Sequence, residues 1–261
     1  MRPLSDPADE AKRIIDAAES RKVILRLMGG VSFLLRCPSA RQGSLQRNYT
    51  DLDFMAHAVQ AKKLLQLFID MGYIPEERFN AIYGLRRLLF KDAANRWRVD
   101  VFLDSLEMCH RFNFMERLEI DKYTISLADM LVTKLQIVEI NEKDVKDIIS
   151  LLIDYDVGDI DDEMINGGYI AGLCRDNWGI YRTFKLTLAT VDDALTRMDI
   201  EREKKELVRA RIAQLLQLIE NAPKSLRWKI RAVIGDKRRW YELPEPENQI
   251  IDYSADRPNS S

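Results

Sequence analysis

Hydrophobic and polar positions change their spacing along this chain near residue 123. Before that point, short apolar runs typical of buried strands alternate with stretches in which apolar residues recur at helical spacing. Beyond it, almost the whole chain to about Val233 keeps the helical spacing. We therefore predict an α+β fold in which a sheet-bearing first half precedes an all-helical second half.

The first half is predicted to contain strands and helices in a mixed order. A helix should begin at Pro7, because Ser5 or Asp6 can cap it and proline suits the first helical position. Further helices are predicted at 31–35 and 59–71. Strands are predicted at 23–28, 52–55, 85–90 and 98–103, with a turn at 92–95 and a further strand or hairpin at 118–125.

A capping motif marks the boundary between the halves. Ser126 to Asp129 has the form of a capping box, with aspartate in place of the usual glutamate, so a helix should start there. We predict one domain at 1–123 and a helical domain at 124–240. The segment 241–261 is rich in proline and polar residues and is predicted to be a disordered tail.

The overall composition mainly excludes classes of protein. Of 261 residues, 46% are hydrophobic and 31% are charged, and the formal net charge of −2 argues against bulk electrostatic binding to nucleic acid or membrane. No apolar run approaches a membrane span, and residues 1–6 lack the apolar core of a signal peptide. We therefore expect no membrane partner. The cysteines, Cys37, Cys109 and Cys174, form no CxxC pair, so neither a zinc site nor a disulfide framework is indicated, and we expect buried or reduced thiols in a cytoplasmic protein.

Two carboxylates provide the first candidate chemistry. Asp51 and Asp53 are two positions apart in a predicted strand, so both point to one face while Leu52 and Phe54 point to the other. Like charges side by side repel each other, and a hard divalent cation between them relieves that repulsion. We therefore predict that Asp51 and Asp53 bind Mg²⁺, or Mn²⁺ in its place.

Asp100 is a third candidate metal ligand. It lies inside the apolar run 98–103, where a carboxylate is rare unless it is paired or binds a ligand. One interpretation is a solvent-exposed edge strand on which Asp100 pairs with Arg98. The other makes Asp100 a third carboxylate, which helps to hold a second metal ion or acts as a general base on an incoming hydroxyl.

A glycine turn lies shortly before the aspartate pair. Gly29 and Gly30 follow the first predicted strand, and Ser32 is close behind them. Unpaired amides at a helix N-terminus suit an anion, so these three residues are candidates for binding a triphosphate. The alternative is a plain strand-to-helix turn in which glycine only relieves steric crowding. The segment is neither a Walker loop nor a GxGxxG motif.

Three further candidates lie on predicted helices. Lys134 flanks the apolar face of the helix that starts near Ser126, and it either contacts a triphosphate as a point charge or is an ordinary solvated lysine. Asp144 and Asp147 are three positions apart on the next helix and so share a face. They either pair with Lys134 or Arg47 or are simply exposed.

The motifs occur in a fixed order: GGVS, RxxTDLDF, VDVF, a helical lysine and KDxxDI. In this order they resemble the nucleotidyltransferase superfamily, and most closely the AbiEii-type toxin-like nucleotidyltransferases of bacterial and archaeal defence and toxin–antitoxin systems. The resemblance covers about residues 23–152. It implies a mixed-sheet nucleotidyltransferase domain, like the palm of DNA polymerase β, followed by an all-helical C-terminal domain.

The resemblance also implies roles for individual residues. Asp100 fits the general superfamily pattern rather than that of the toxin-like branch. The reaction implied is attack of an acceptor hydroxyl on the α-phosphate of a nucleoside triphosphate, with pyrophosphate leaving. The roles are metal binding for Asp51 and Asp53, triphosphate binding for Gly29, Gly30 and Ser32, phosphate contact for Lys134, a basic residue before the aspartate pair for Arg47, and completion of the site for Asp144 with Asp147.

The acceptor is the least constrained part of the prediction. The segment 201–240 is rich in lysine and arginine and contains Trp228 and Trp240. Such a patch can bind RNA phosphates with a ring stacked on a base, or it can be a solvated helix face with ion pairs and core tryptophans. We predict an RNA acceptor, such as a tRNA 3′ end, or a protein hydroxyl, and a cognate antitoxin as partner. The alternatives are a small-molecule acceptor, as in aminoglycoside nucleotidyltransferases, and a catalytically silent binding module.

Overall fold

The computed structural model describes residues 5–92 and 97–243, and it confirms an α+β fold with the sheet first and the helical half after it. The predicted turn at 92–95 and the predicted disordered tail lie almost wholly outside the described residues. The helices are α1 (Pro7–Ser20), α2 (Gly29–Arg36), α3 (Ala61–Asp70), α4 (Glu77–Tyr83), α5 (Leu127–Leu135), α6 (Glu142–Asp154), α7 (Gly167–Asp176), α8 (Trp178–Arg197), α9 (Arg202–Asn221) and α10 (Leu226–Ile234). The strands are β1 (Leu25–Met28), β2 (Asp51–Ala56), β3 (Ile74–Pro75), β4 (Arg87–Lys91), β5 (Arg98–Leu103), β6 (Ser105–Glu107), β7 (Arg111–Asn113), β8 (Val157–Gly158) and β9 (Ile165–Asn166).

Five of the strands form one mixed sheet in the order β1–β2–β5–β4–β3. The central strands β2 and β5 run parallel, and each of the other neighbouring pairs is antiparallel. The register pairs Asp53 with Asp100 across the central strands and with Met28 on its other side. The sheet therefore brings Asp53 and Asp100, candidate carboxylates of two separate strands, next to each other.

One face of this sheet is a closed hydrophobic core, which we call the apolar face. Leu52, Phe54 and Ala56 of β2 are fully buried there, together with Val99 and Val101 of β5. The apolar stripes of α1 and α3 cover them. Every second residue of both strands is therefore committed to packing, and the residues between them point to the opposite face.

The second half of the chain packs onto that opposite face through α5. All nine residues of this helix are buried, and it contacts α2, α6, α7 and α8. A single hydrophobic cluster includes Met28 and Met55 of the sheet together with residues from α5 to α9. The residues of α5 and α6 are consequently held beside the polar face of the sheet.

The helix starts predicted at Pro7 and near Ser126 are confirmed by hydrogen bonds from their capping residues. The Asp6 carboxylate accepts hydrogen bonds from the backbone N–H groups of Ala8 and Asp9 at the start of α1. At the start of α5, the Ser126 hydroxyl accepts from the Asp129 N–H at 3.1 Å and donates to the Asp129 carboxylate at 2.7 Å. The serine half of the predicted capping box is therefore present, whereas the Asp129 carboxylate accepts from the Ser126 hydroxyl and not from the backbone N–H that a capping box uses.

The predicted strand or hairpin at 118–125 is wrong. Apart from one isolated bridge between Thr124 and Leu27, this segment forms turns. The Asp121 carboxylate accepts hydrogen bonds from the N–H groups of Tyr123 and Thr124, and Arg26 donates to the carbonyl of Leu118 at 2.7 Å. The local bonds at Asp121 compete with strand pairing, and together with the bond from Arg26, 92 positions away, they hold the segment as a loop.

Other differences from the predicted elements are small. The hairpin β6–β7 was not predicted, and the two-residue strands β8 and β9 interrupt the helical half.

The three cysteines are free and buried. Within residues 5–92 and 97–243, no helix has both the length and the apolarity that crossing a membrane requires.

Candidate active site

Three carboxylates share one face of the two central strands, which we call the carboxylate face. Asp51 and Asp53 lie on β2 and Asp100 lies on β5. The parallel register sets Asp53 opposite Asp100, and Asp51 opposite Arg98. Because side chains alternate along a strand, this face is the one that points away from the apolar face.

Asp53 is a crowded carboxylate without a bonding partner. Its side chain is half-buried, and in the described part of the chain it accepts no hydrogen bond and forms no ion pair. Burial, followed by the charges of Asp100 and Asp51, raises the pKa of Asp53 to about 7, against the opposing effect of Lys134 and Arg87. A divalent cation at this position would favour the charged form of the group.

Asp100 is buried and bonded to an arginine of the neighbouring strand. Arg87 on β4 donates from Nε to one carboxylate oxygen at 2.7 Å and from Nη2 to the other. The guanidinium group lies 4.6 Å from the ring centre of Phe102. Arg98 is more distant, with its Nη2 atom 3.7 Å from the carboxylate. The edge-strand interpretation is therefore wrong, because β5 is central and Arg87 is the principal partner.

Sequence reasoning missed Arg87. The signal was nonetheless present, because Arg87 is a charged residue at the start of the apolar run Leu88–Leu89–Phe90. The rule that singled out Asp100, a charge within an apolar strand, applies equally to Arg87. The sequence does not show that β4 and β5 are neighbours in the sheet.

Gly29 is required where β1 turns into α2. Its φ angle is +63°, and a Cβ atom added there would lie 2.0 Å from Oδ2 of Asp53. The residue before it, Met28, offers no side-chain oxygen, so the N–H groups in the first turn of α2 have no side-chain cap. The turn thereby sets uncapped amides directly beside a carboxylate.

The neighbouring residues support this turn in different ways. A Cβ atom on Gly30 would lie 2.1 Å from Nη2 of Arg47, so the glycine leaves space for the arginine. Ser32 is fully buried and donates from its hydroxyl to the carbonyl of Gly29 at 2.7 Å. In this arrangement Ser32 holds the turn from the inside, and Arg47 lies across it.

Arg47 belongs to a buried charge network with Lys134, Asp144 and Asp147. Arg47 donates two hydrogen bonds to Asp147, at 2.9 and 2.8 Å. The Lys134 Nζ atom lies 2.6 Å from Asp144 and 2.9 Å from Asp147. Pairing of both aspartates with Lys134 or Arg47 is thus confirmed, and the interpretations of Lys134 as a solvated lysine and of the aspartates as simply exposed are wrong.

The electrostatics of this network keep its cations charged. Burial alone would lower the pKa of Lys134, but the adjacent Asp147 and Asp144 carboxylates outweigh it and raise that pKa. Arg47 also lies 4.1 Å from the ring centre of Tyr49. Asp147 and Tyr49 therefore hold Arg47 where it lies against Gly30.

The side chains of the carboxylate face have a chemistry that suits a divalent cation. Within the described residues, no three side chains of the His, Cys, Asp or Glu types lie close enough together to form a complete metal cage. Asp51 is exposed and Asp53 is unbonded, so both can offer oxygen atoms, whereas Asp100 shares both of its oxygens with Arg87. Two carboxylates that leave positions for water and substrate phosphates fit Mg²⁺.

Comparisons with known proteins give weak likenesses. No protein-family model and no curated protein matches this chain. The chain is similar to the crystal structure of the lincosamide antibiotic adenylyltransferase LnuA with lincomycin bound, at 20% identity and a TM-score of 0.42 over 58% of this chain and 98% of that one. It is also similar to the solution structure of the antibiotic-resistance factor ANT(2'')-Ia, at 13% identity and a TM-score of 0.35 over 82% of this chain and 97% of that one. Likenesses at this level assign neither a family nor a substrate to the chain.

Proposed function

We propose that this chain is a metal-dependent nucleotidyltransferase that moves a nucleoside monophosphate from a nucleoside triphosphate to an acceptor hydroxyl. The observation that carries the proposal is the contact between Gly29 and Asp53, which sets the uncapped start of α2 beside the crowded carboxylates. A triphosphate with its metal ion needs both partners, amides for phosphate oxygens and carboxylates for the cation.

The proposed reaction exchanges one phosphate ester bond for another. The acceptor oxygen forms a bond to the α-phosphorus, the bond from that phosphorus to the oxygen bridging to the β-phosphate breaks, and pyrophosphate leaves. Asp51 and Asp53 are the residues proposed to hold Mg²⁺ or Mn²⁺. Such an ion, when bound, would lower the pKa of the acceptor hydroxyl and neutralise charge on the leaving group.

Other residues of the chain are proposed to bind and orient the substrate. The amides of Gly29 and Gly30 and the guanidinium of Arg47 would contact the triphosphate, with Ser32 holding the turn. Asp100 would act as the third carboxylate through an oxygen that it now shares with Arg87.

We assign Lys134 a positioning role in this scheme, because its charge is already matched by Asp144 and Asp147. It shares Asp147 with Arg47 and so helps to hold that arginine in place. A direct phosphate contact from Lys134 is then not required.

Part of the segment 201–240 lacks the free positive charge and the free ring that an RNA surface would use. Much of the positive charge on α9 is neutralised by ion pairs, and Trp228 packs against Tyr181 with the two rings 5.1 Å apart. These contacts favour a solvated helix face and a packed tryptophan in that part of 201–240. The ion pairs made by α9 cations are Arg202 with Glu206, Lys204 with Glu201, Arg209 with Asp192, and Arg211 with Asp156.

An RNA acceptor, such as a tRNA 3′ end, remains a proposal that depends on the rest of the 201–240 segment. A protein hydroxyl, a toxin–antitoxin context and a cytoplasmic location depend on the sequence alone. A small-molecule acceptor is the competing proposal, and one assay separates these possibilities.

The assay supplies the full-length protein with Mg²⁺ and each nucleoside triphosphate labelled at the α-phosphate. Total RNA, cell protein, and a panel of aminoglycosides and lincosamides are offered in separate reactions. Label in one class of acceptor, with stoichiometric pyrophosphate, would support transfer and identify that class. Neither label nor pyrophosphate in any reaction would overturn the proposal and favour a catalytically silent binding module.

Matched variants tie the outcome to the proposed site. Asp53→Asn removes a carboxylate from the carboxylate face, whereas Asp162→Asn makes the same change at an exposed position between α6 and α7. Label transfer should be lost in the first variant and kept in the second. Equal transfer by both would reject the assignment of the site even if the protein is a nucleotidyltransferase.

A further inference from the structure

A second pocket lies away from the carboxylate face. It has a volume of about 620 Å³, is open to solvent on one side, and lies between the hairpin β6–β7 and the segment that follows α10. The hairpin continues from the C-terminal end of β5, whereas Asp51 and Asp53 lie in the N-terminal half of the parallel strand β2. Cavities of this size are typical of sites for small molecules and cofactors.

Positive charge exceeds negative charge in the lining of this pocket. Arg231 has no carboxylate partner among the described residues and donates to the carbonyls of Gly235 and Arg238, at 2.8 and 2.6 Å. Arg111 is neutralised by Glu107, whose carboxylate is 3.1 Å away. Arg238 and Arg239 have no carboxylate partner in the described part of the chain, and both are exposed at the pocket. The charged lining residues are Glu107, Arg111, Arg231, Arg238, Arg239 and Glu242.

Aromatic rings lie beside this pair of exposed arginines. Trp240 and Tyr241 are in edge contact, with their ring centres 5.4 Å apart. The Trp240 Nε1–H group donates to the Thr183 hydroxyl at 3.0 Å, which fixes that ring to α8. The Arg239 guanidinium lies 5.7 Å from the ring centre of Tyr241. The Trp240 ring is also in edge contact with Trp178, at 5.7 Å between ring centres, and lies 6.0 Å from the Arg182 guanidinium. Tyr241 therefore offers the ring, and Arg238 and Arg239 the guanidinium groups, that a ligand of this pocket can contact.

The two walls of the pocket are tied together, so its shape is set by the fold. The backbone N–H of Glu242 donates to the carbonyl of Cys109 in the hairpin at 3.1 Å. His110 beside it is buried, with Nε2 2.8 Å from the Thr183 hydroxyl. Burial lowers the pKa of His110 to about 4, so the imidazole is neutral near pH 7 and adds no charge.

We propose that this pocket binds a nucleotide, with its phosphate on Arg238 and Arg239 and its base against Tyr241. Guanidinium groups match phosphate oxygens, and aromatic rings stack on bases of any sequence. The nucleotide is either a free molecule or one residue of an RNA chain, and in the second case the pocket would dock the acceptor. The proposal goes beyond the proposed function, because binding here does not depend on Asp51 or Asp53.

Binding is tested with a fluorescein-labelled single-stranded RNA octamer by fluorescence anisotropy. The full-length protein carries Asp51→Asn and Asp53→Asn, so that no transfer can occur. Charge reversal by Arg238→Glu with Arg239→Glu should weaken binding by at least about tenfold. The matched control is Lys62→Glu with Lys63→Glu, a pair of adjacent exposed cations on α3, and it should leave the affinity unchanged.

A second pair of variants tests stacking separately from charge. Tyr241→Leu should weaken RNA binding by roughly fivefold or more, and Tyr241→Phe should retain it. Thermal unfolding checks that each variant is folded, and Arg238→Gln with Arg239→Gln replaces the charge reversal if that variant is not.

The outcomes separate the ligands and can overturn the proposal. Displacement of the RNA by AMP identifies a free nucleotide as a ligand, whereas failure of AMP to displace it identifies an RNA chain. Equal weakening by both charge-reversal pairs, or no effect of Tyr241→Leu, would mean that the protein has only a diffuse affinity for anions, and the nucleotide pocket would be rejected.

Discussion

The two faces of the central sheet differ in the side chains that they present, although the same strands form both. On the apolar face, Phe54 and Leu52 are fully buried and packed beneath α1 and α3. On the carboxylate face, one residue along the chain, Asp53 is repelled by Asp100 and Asp51 and has no bonding partner among the described residues. The difference shows that one strand can supply stability and chemistry from alternate positions, so substitutions at adjacent residues should have opposite signatures.

The largest expected effect is the loss of activity in Asp53→Asn. Transfer, measured as pyrophosphate release, should fall by at least about 10³-fold because the cation loses a ligand. Thermal stability should stay the same or rise, because a neutral amide removes repulsion with Asp51 and Asp100. Asp162→Asn should alter the free energy of unfolding by no more than about 0.5 kcal/mol. A folded Asp53→Asn protein with full activity would contradict the comparison of the two faces.

The next largest effect is expected one residue away, in Phe54→Ala. Truncation of this fully buried ring, whose centre lies 6.3 Å from that of Phe68, should lower the free energy of unfolding by about 3–5 kcal/mol. Urea denaturation measures the change, and any protein that remains folded should still bind nucleotide. A loss below about 1 kcal/mol would show that the apolar face does not carry the stability of the sheet.

A smaller loss of stability is expected from the buried charge network. Asp147→Asn leaves both Lys134 and Arg47 without a full partner and should cost about 3 kcal/mol. Asp144→Asn removes one partner of Lys134 alone and should cost less. Chemical denaturation of the two variants side by side decides the order. Reversal of that order would mean that Asp147 is not the centre of the network.

The smallest effect is expected in the dependence of stability on pH. The pKa of Asp53 is raised to about 7 in the folded protein, so between pH 4 and pH 7 the folded state holds a proton that the unfolded state releases. Stability should therefore fall as the pH rises through this window, by about 2 kcal/mol for a side chain that is partly open to solvent.

Two measurements test whether Asp53 is the group that causes this pH dependence. Asp53→Asn should abolish this part of the pH dependence, because the amide does not titrate. Millimolar Mg²⁺ should stabilise the unsubstituted protein more at pH 8 than at pH 5, because the carboxylate is charged only at the higher pH. Thermal unfolding across a pH series measures both effects, and an unchanged slope in Asp53→Asn would assign the titration to another group.

Local features of this fold could be predicted from the sequence. The alternation of Asp51, Leu52, Asp53 and Phe54 indicates a two-faced strand without further information. The cap at Ser126 likewise depends on residues within one turn of helix. Predictions succeeded where the physical cause lies within a few residues of its effect.

Features that depend on distant segments could not be predicted in the same way. The bond from Arg87 to Asp100 requires β4 to lie beside β5, which the sequence did not predict. The contact of Arg47 with Asp147, across 100 positions of sequence, was only one of two alternatives that the sequence left open. The error at 118–125 has a related cause, because Leu118 and Ile125 are buried against the core that includes the helical half, not within a strand. Apolar spacing alone does not distinguish these two reasons for burial.

The neutrality of the buried charge network has a consequence for how this sequence can vary. Two cations, Arg47 and Lys134, balance two carboxylates, Asp144 and Asp147, in a place where an unmatched ion is costly. In relatives of this chain, substitution of a cation should therefore be accompanied by substitution of a carboxylate. These four positions, spread over a hundred residues, should co-vary as a single unit.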